Sequence, residues 1–253
     1  MNYDFDASFA AWSRIPVDDF DYLSAREILL LAPSQRKELI ELASTFRWAH
    51  DRWRNRNGSL LQFMTASASP DKIALDFGCG FGLDAVELFK VGMGVILADL
   101  HPWVLLLANQ TLISATNGGM AMKLCPVAPL WPYFDPGHKI DLFWSMGVLH
   151  HFPWGMQILR RACECLNPGG ECRICLYSDK RWKEMVGDLP QGNSWDDLRF
   201  AEFARKCDAV GSWADWYNEE KLKEAVRDFA DVAECVYLCD DQFIGAVIKP
   251  KGG

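Results

Sequence analysis

Eight residues, Leu75 to Gly82 (LDFGCGFG), constrain the fold of this chain more than any other stretch. An apolar run that ends in an acid is followed by Gly78, Gly80 and Gly82 at alternate positions, the pattern of a strand that turns tightly into a helix. Lacking Cβ atoms and free in the sign of φ, such a turn lets a ligand lie against the backbone itself. Its spacing, D-x-G-x-G-x-G, departs from the dinucleotide fingerprint G-x-G-x-x-G, whose third glycine sits inside the helix. A plain glycine-rich turn is the other reading, and the elements after it weigh against it.

Those elements alternate. Residues 82–91 carry apolar side chains at helical spacing until Gly92 and Gly94 stop them, and Val95 to Ala98 is a short apolar strand with Asp99 at its C-terminal end. Pro102 opens a second helix reaching about Thr116, closed by Asn117, Gly118 and Gly119. A weak third strand follows near Met120 to Cys125, then an irregular proline-rich stretch to Gly137. Ile140 to Ser145 is a fourth strand. Pro153 to Leu166 is a helix that Asn167, Pro168, Gly169 and Gly170 terminate, and Glu171 to Tyr177 is a fifth strand. From Ser178 to Asn218 the pattern gives way to Trp-rich, loop-like sequence. A helix over about Glu219 to Asp228 and a hairpin, Ala233 to Leu238 and Phe243 to Lys249 around Asp240 and Asp241, complete the chain.

The order predicts an α/β protein with a Rossmann-like, seven-stranded, mostly parallel sheet, an antiparallel last strand and helices on both faces. Residues 1–70 read as a helical N-terminal cap, with Ser24 to Glu27 as a capping box and Ser34 as an N-cap. The core then covers 71–253, with a substrate-cap insertion at about 178–218.

Composition bounds the function classes. Half of the 253 residues are hydrophobic, enough for a sizeable core in one domain. No apolar run approaches the ~18 residues of a membrane span, and acids stand where a signal peptide has its basic region, so a soluble cytoplasmic protein is expected. A net charge of -8 argues against a nucleic-acid partner. Arg47, Arg52, Arg54 and Arg56, among Trp48, His50 and Trp53, read either as an anion site or as an exposed helix end, the second being favoured. Nine cysteines, an odd number, fit reduced thiols. Cys163 and Cys165 fall on opposite sides of a helix and Cys172 and Cys175 on opposite faces of a strand, which argues against a metal site.

Four pieces in this order, LDFGCGFG, ILADLHP at Ile96 to Pro102, DLFWSMGVLHHF at Asp141 to Phe152 and LNPGG at Leu166 to Gly170, resemble the class I S-adenosylmethionine (SAM) methyltransferases. The likeness is to the broad type 11/25 group that includes the ubiquinone and menaquinone biosynthesis methyltransferases, over about residues 70–178. It implies SAM as cofactor and S-adenosylhomocysteine (SAH) as product. It implies main-chain contacts from Gly78, Cys79, Gly80 and Gly82, an orienting role for Asp76, and a place for Ser145 among the cofactor residues. Asp99 would accept both ribose hydroxyls, and Leu100 would pack on the adenine; Asp99 as a helix cap ahead of Pro102 is a compatible reading. The acid that such proteins carry after the third strand has no counterpart here, where Cys125, Pro126 and Val127 stand. Either backbone groups of Val127 and Ala128 read the adenine, or the alignment there is displaced by several residues.

Methyl transfer from a sulfonium needs mainly a nucleophile held about 3 Å from the methyl and in line with the sulfur. A general base adds about 10²-fold, and the candidates are His151 first, then His150 and Tyr177; one of the two histidines is also expected to pack under the sheet end and bond the backbone. Five of the eleven tryptophans, Trp12, Trp182, Trp195, Trp213 and Trp216, lie in the two covering segments. They read as packing for the cap, as walls for a flat acceptor, or, with Tyr217 and Asp215, as a box for a cationic amine. On the acceptor readings Trp216→Ala weakens acceptor binding more than SAM binding. The acceptor is a small molecule, moved by O-, N- or C-methylation. A SAM-binding protein without transfer activity and a nicotinamide oxidoreductase are the rival classes, and a homodimer is left open.

Overall fold

The computed structural model describes residues 9–10, 12, 23–127, 133–189, 198–208 and 213–252. Ala128 and Trp195 lie outside the described residues. Two helices, α1 (Ala25–Leu30) and α2 (Pro33–Trp48), precede a 3₁₀ turn at Trp53–Gly58 and α3 (Ser59–Thr65). The sheet and its helices follow as β1 (Ile73–Phe77), α4 (Leu83–Lys90), β2 (Gly94–Asp99), α5 (Pro102–Ala115), β3 (Lys123–Pro126), β4 (Ile140–Met146), α6 (Gly155–Cys165) and β5 (Leu166–Tyr177). Then come α7 (Asp179–Val186), α8 (Arg199–Asp208), α9 (Glu219–Val226), β6 (Ala230–Leu238) and β7 (Phe243–Pro250).

The seven strands lie in the order β3-β2-β1-β4-β5-β7-β6. Six run parallel, and β7 pairs antiparallel with both β5 and β6, as the hairpin requires. Alternation sends Ala74, Leu142, Trp144 and Cys175 to one face, under α3, α4 and α8. It sends Leu75, Phe77, Phe143 and Ile174 to the other, under α6 and α9. Both faces are covered, which is why the central strands read as unbroken apolar runs. A third cluster packs Ala25 and Ile28 of α1 and Ile40 and Ala43 of α2 against Val104 and Leu107 of α5.

The Ser24 to Glu27 capping box is present: Glu27 Oε2 accepts the Ser24 amide at 2.7 Å, and Ser24 Oγ accepts the Glu27 amide at 3.3 Å. Ser34 is not an N-cap. Pro33 takes the first helical position, where its missing N–H costs nothing, and Ala32 stands in the cap place. α6 ends at Cys165, just before LNPGG, as expected, but LNPGG is not a loop: it opens β5, where Leu166 pairs with Ile140 across a register shift. The segment read as loop-like holds two helices, α7 and α8, whose buried Trp182, Phe200 and Phe203 sit 4.8–5.1 Å from ring to ring along the Trp182 contacts. Cys172 and Cys175 do face opposite sides of the sheet, but Cys163 and Cys165 both pack into the α6 side. Among the described residues no helix is long and apolar enough to cross a membrane.

Gly82 shows why the turn tolerates no side chain. Its φ is +80°, and a Cβ there would lie 2.8 Å from the Cα and carbonyl oxygen of Ala108 in α5, so the start of α4 and the middle of α5 touch through bare backbone. Gly82→Ala is therefore expected to cost about 1–3 kcal/mol in urea unfolding. An unchanged midpoint would mean that α5 retreats without loss.

Candidate active site

β1 lies between β2 and β4, and the connections from β1 and β4 leave in opposite directions along the sheet. A crevice is expected above the C-terminal ends of strands at such a reversal. It is there, as a cavity of about 310 Å³.

One end is built from the glycine turn. The amides of Gly78 and Cys79 both donate to the Ala98 carbonyl (2.8 and 3.2 Å), that of Gly82 donates to the Cys79 carbonyl (2.7 Å), and that of Gly80 donates to Asp99 Oδ2 at 3.4 Å. With those four N–H groups engaged inside the protein, the turn offers a ligand mainly carbonyl oxygens, which suit a cation and not a phosphate. Three carboxylates line this end: Asp76, Asp84 and Asp99. Asp99 sits at the end of β2, its Oδ1 accepting the His101 amide at 3.1 Å, and burial raises it to about 6. Asp76 accepts the amide of Ala85, while its buried Oδ2 has no hydrogen-bond partner among the described residues. Burial first, then the neighbouring charge of Asp84, push it well above the usual carboxylate range, against the pull of Arg47. Asp84 itself is held by a bidentate Arg47 guanidinium (2.8–3.0 Å) and by Trp144 Nε1 at 2.8 Å.

The wall also carries aromatic rings and an imidazole, from Trp12, Trp53, Tyr177, Phe243 and His151. The two histidines of the motif divide their work. His151 faces the cavity, 4.6 Å from Trp12 between ring centroids, whereas His150 is fully buried and does not line it. His150 Nδ1 accepts the amide of Tyr177 at 3.1 Å, so the proton sits on Nε2, and burial together with His151 and Arg181 lowers its basicity far below normal. His150 is thus no base for an acceptor; it supports the ring of Tyr177, 3.8 Å away.

Of the sequence-derived cofactor residues, the structure brings Asp76, Gly78, Cys79, Gly80, Asp99, Leu100 and Val127 to the cavity. Gly82 lies behind it, against Ala108. Ser145 does not reach it: fully buried in β4, its Oγ donates to the Phe77 carbonyl at 3.1 Å and ties β4 to β1. The Val127 amide is engaged by the Asp99 carbonyl (3.0 Å), so that N–H does not read an adenine, although the side chain lines the cavity.

Two sequence readings of surrounding residues are corrected. Arg47 is not part of a solvated helix end, since it is largely buried on Asp84, while Arg56 stays half exposed and pairs with Asp240 of the β6–β7 turn at 2.6 and 2.7 Å. The aromatic box at Trp216 and Tyr217 holds a cation, but it is the chain's own Lys221. Its Nζ lies 4.2 Å over Trp216 and 4.9 Å over Tyr217, and 2.6 Å from Asp215 Oδ1. Trp182, Trp213 and Trp216 pack in the core and do not line the cavity, so Trp216→Ala is an expected loss of stability and not of acceptor affinity. Arg54, one of the four arginines read as an anion site or a helix end, lines the cavity; Arg181, Met146 and Phe243 line it without having been foreseen, because nothing local in their sequence separates them from ordinary surface or strand residues.

Residues 75–174 match the family model of the methyltransferase domain. Over that segment the chain is similar to a methyltransferase domain. The fold agrees. An S-adenosylmethionine-dependent methyltransferase from Clostridium acetobutylicum is similar over 84% of this chain and 97% of its own, at 11% identity and a TM-score of 0.57. The CcbJ methyltransferase from Streptomyces caelestis covers 74% of this chain and 92% of its own (12% identity, TM-score 0.54). The N-methyltransferase NodS from Bradyrhizobium japonicum, solved with SAH, covers 85% and 98% (16% identity, TM-score 0.53). No curated protein matches the chain.

The lining of the cavity beside the glycine turn fits the SAM that the sequence resemblance implies. SAM carries an ammonium, a ribose diol, an adenine and a sulfonium, and the site presents a buried carboxylate oxygen lacking a partner, a second carboxylate at a strand end, apolar Leu100 and Val127, and carbonyl oxygens. The raised Asp99 gives a pH signature. In the free protein, the folded state keeps the Asp99 proton longer than the unfolded chain, so this group lowers stability as pH rises from 3.8 to about 6. SAH affinity should move the other way, strengthening from about pH 5 to about pH 7 as the charged acceptor forms, and Asp99→Asn should flatten that rise in calorimetric titrations. An equal slope in the variant would assign the titration elsewhere.

Proposed function

We propose that the chain moves a methyl group from SAM to an O, N or C atom of a small-molecule acceptor lying over the C-terminal ends of β4 and β5. The observation that carries this reading is the pairing of unlike linings in one cavity: carboxylates and engaged amides at the glycine turn, with aromatic faces and an imidazole elsewhere in its wall. When bound, SAM supplies a methyl group already activated by its sulfonium. Asp76 Oδ2 then takes the ammonium, Asp99 the ribose hydroxyls, Gly78, Cys79 and Gly80 the main-chain contacts, and Leu100 and Val127 the adenine faces. Tyr177 and His151 orient the acceptor, and His151 removes its proton where the nucleophile carries one.

The N-terminal residues 1–70 and the segment 178–218 act as covers on a core of 71–253. In support, Trp12, Phe46 and Trp53 on one side and Arg181 and Cys207 on the other close the cavity above the strand ends. Exclusion of water by these covers strengthens every charge interaction within. A cavity that continues past the donor end favours transfer over donor binding alone.

Transfer of labelled methyl from SAM to a screen of small acceptors tests the reading, and SAH bound without transfer to any acceptor would leave a binding protein. Asp99→Ala should weaken SAH at least about tenfold through loss of charge-assisted bonds. For the acceptor that is found, His151→Ala should lower kcat about 10²-fold at unchanged SAH affinity. A loss below about threefold would mean that positioning alone drives the step and that His151 takes no proton.

A further inference from the structure

The four cysteines between residues 163 and 175 hold one close pair. Cys163 Sγ, in the last turn of α6, faces Cys172 Sγ of β5 across 3.9 Å, with one thiol donating to the other. Cys165 packs in the same cluster, whereas Cys175 points to the opposite face of the sheet, and none of the nine cysteines is bridged. No group of three His, Cys, Asp or Glu among the described residues is placed to hold a metal ion. Two facing thiols without further ligands suit two-electron oxidation better than coordination.

The members of the pair are unlike. Cys172 has no exposed surface, whereas Cys163 is 9% exposed, and the connection between them carries the exposed Pro168 and Gly169. Burial first, then the bond to Cys163, push the Cys172 thiol well up, while the hydrogen bond from Cys172 holds Cys163 below the usual thiol range. Cys163 is thus the sulfur that meets an oxidant first, and Cys172 the one placed to resolve it. A disulfide brings its sulfurs to about 2.05 Å, so closure needs side-chain rotation and a small shift of the connecting segment. That segment has room: nothing lies within 4 Å of the place a Cβ would take at Gly169.

We propose that Cys163 and Cys172 are a redox-active dithiol, a second chemical site apart from the cavity, which a hydroperoxide converts to a disulfide. Neither lines the cavity, so this stands whether or not the chain transfers a methyl group. The Cys163 sulfur attacks one peroxide oxygen, the O–O bond breaks, and the departing hydroxide takes the Cys163 proton to leave as water. Cys172 sulfur then attacks the sulfenic acid at Cys163: the S–S bond forms, the S–O bond breaks, and the Cys172 proton leaves with the hydroxide as a second water. The sulfurs give up two electrons and the peroxide takes them.

Hydrogen peroxide on the full folded chain, then blocking of remaining thiols with N-ethylmaleimide, cleavage after glutamate and mass spectrometry test this. The peptide ending at Glu164 should be joined to the one beginning at Cys172, two hydrogens lighter than the separate thiols, and the Cys165 to Glu171 peptide should come off alone with its thiol blocked. Cys165→Ala should form the same bridge at a rate within about twofold, whereas Cys163→Ala should leave Cys172 blocked by maleimide. The oxidised chain should unfold at a higher urea concentration than the reduced one, because the bridge restrains the unfolded state. If Cys163→Ala fails to fold, the peptide map of the unsubstituted chain decides. A bridge through Cys165, Cys163 carried to sulfinic acid without a bridge, or both thiols recovered blocked after peroxide overturns the inference. So does a lower urea midpoint on oxidation, which would mean that the folded chain does not hold the two sulfurs ready to bond.

Discussion

The buried bond between Arg47 and Asp84 organises this molecule. It joins the last turn of α2 to the first turn of α4, and Trp144 from the middle of β4 donates into the same carboxylate. An N-terminal helix, the helix after the glycine turn and the sheet are thereby fixed together beside one site. Such a pair is costly to desolvate and stabilises only when its remaining lone pairs are met, which the indole does. Its charge also reaches Asp76: on top of burial, the Asp84 carboxylate pushes the Asp76 carboxyl further up, and Arg47 opposes that.

The polarity of the cavity follows from where backbone bonds go. A glycine turn whose amides point at the ligand seeks an anion; here the amides of Gly78 and Cys79 converge on the Ala98 carbonyl and are not offered to one. This is the physical ground for separating it from a dinucleotide turn, beyond any difference in glycine spacing. The rings in the cavity wall come from three places distant in sequence, the 3₁₀ turn at Trp53, the end of β5 at Tyr177 and the start of β7 at Phe243. The β6–β7 turn that sets Phe243 takes Cys239, Asp240 and Asp241 through positive φ in succession, and it is pinned by Arg56 on Asp240 and Lys180 on Asp241. Strain of that kind persists only where surrounding contacts over-determine it.

Much of the sheet was legible because its signals are local. Apolar runs with glycine and proline breaks give strands and helices, and β1, β2, β4, α4 and α5 fall where periodicity puts them. The places where the reading failed share a cause. Ser34 lost to Pro33 because proline at the first helical position outweighs a hydroxyl one residue later. LNPGG entered a strand because Asp141 binds Asn167 at 3.0 Å and the Ile73 amide at 2.8 Å, a long-range tie that holds the segment beside β4. Trp182, Trp213 and Trp216 were legible as tryptophans in a covering segment, but only packing against Phe200 and Phe203 shows that they serve the core.

By itself the sequence determined the strand-turn-helix and the two acids, Asp76 and Asp99, that line the cavity beside it, since those features lie within one local unit or at the end of the next strand. Which histidine meets the cavity, which cation fills the box at Trp216, and which arginines line the cavity were decided only by the tertiary structure. Each of those depends on a partner far away in the chain: the Tyr177 amide on His150, Asp215 on Lys221, Gln242 and Cys207 on Arg181. A side chain's chemistry is written in its own residue, but its protonation, direction and exposure are set by whatever the fold brings against it.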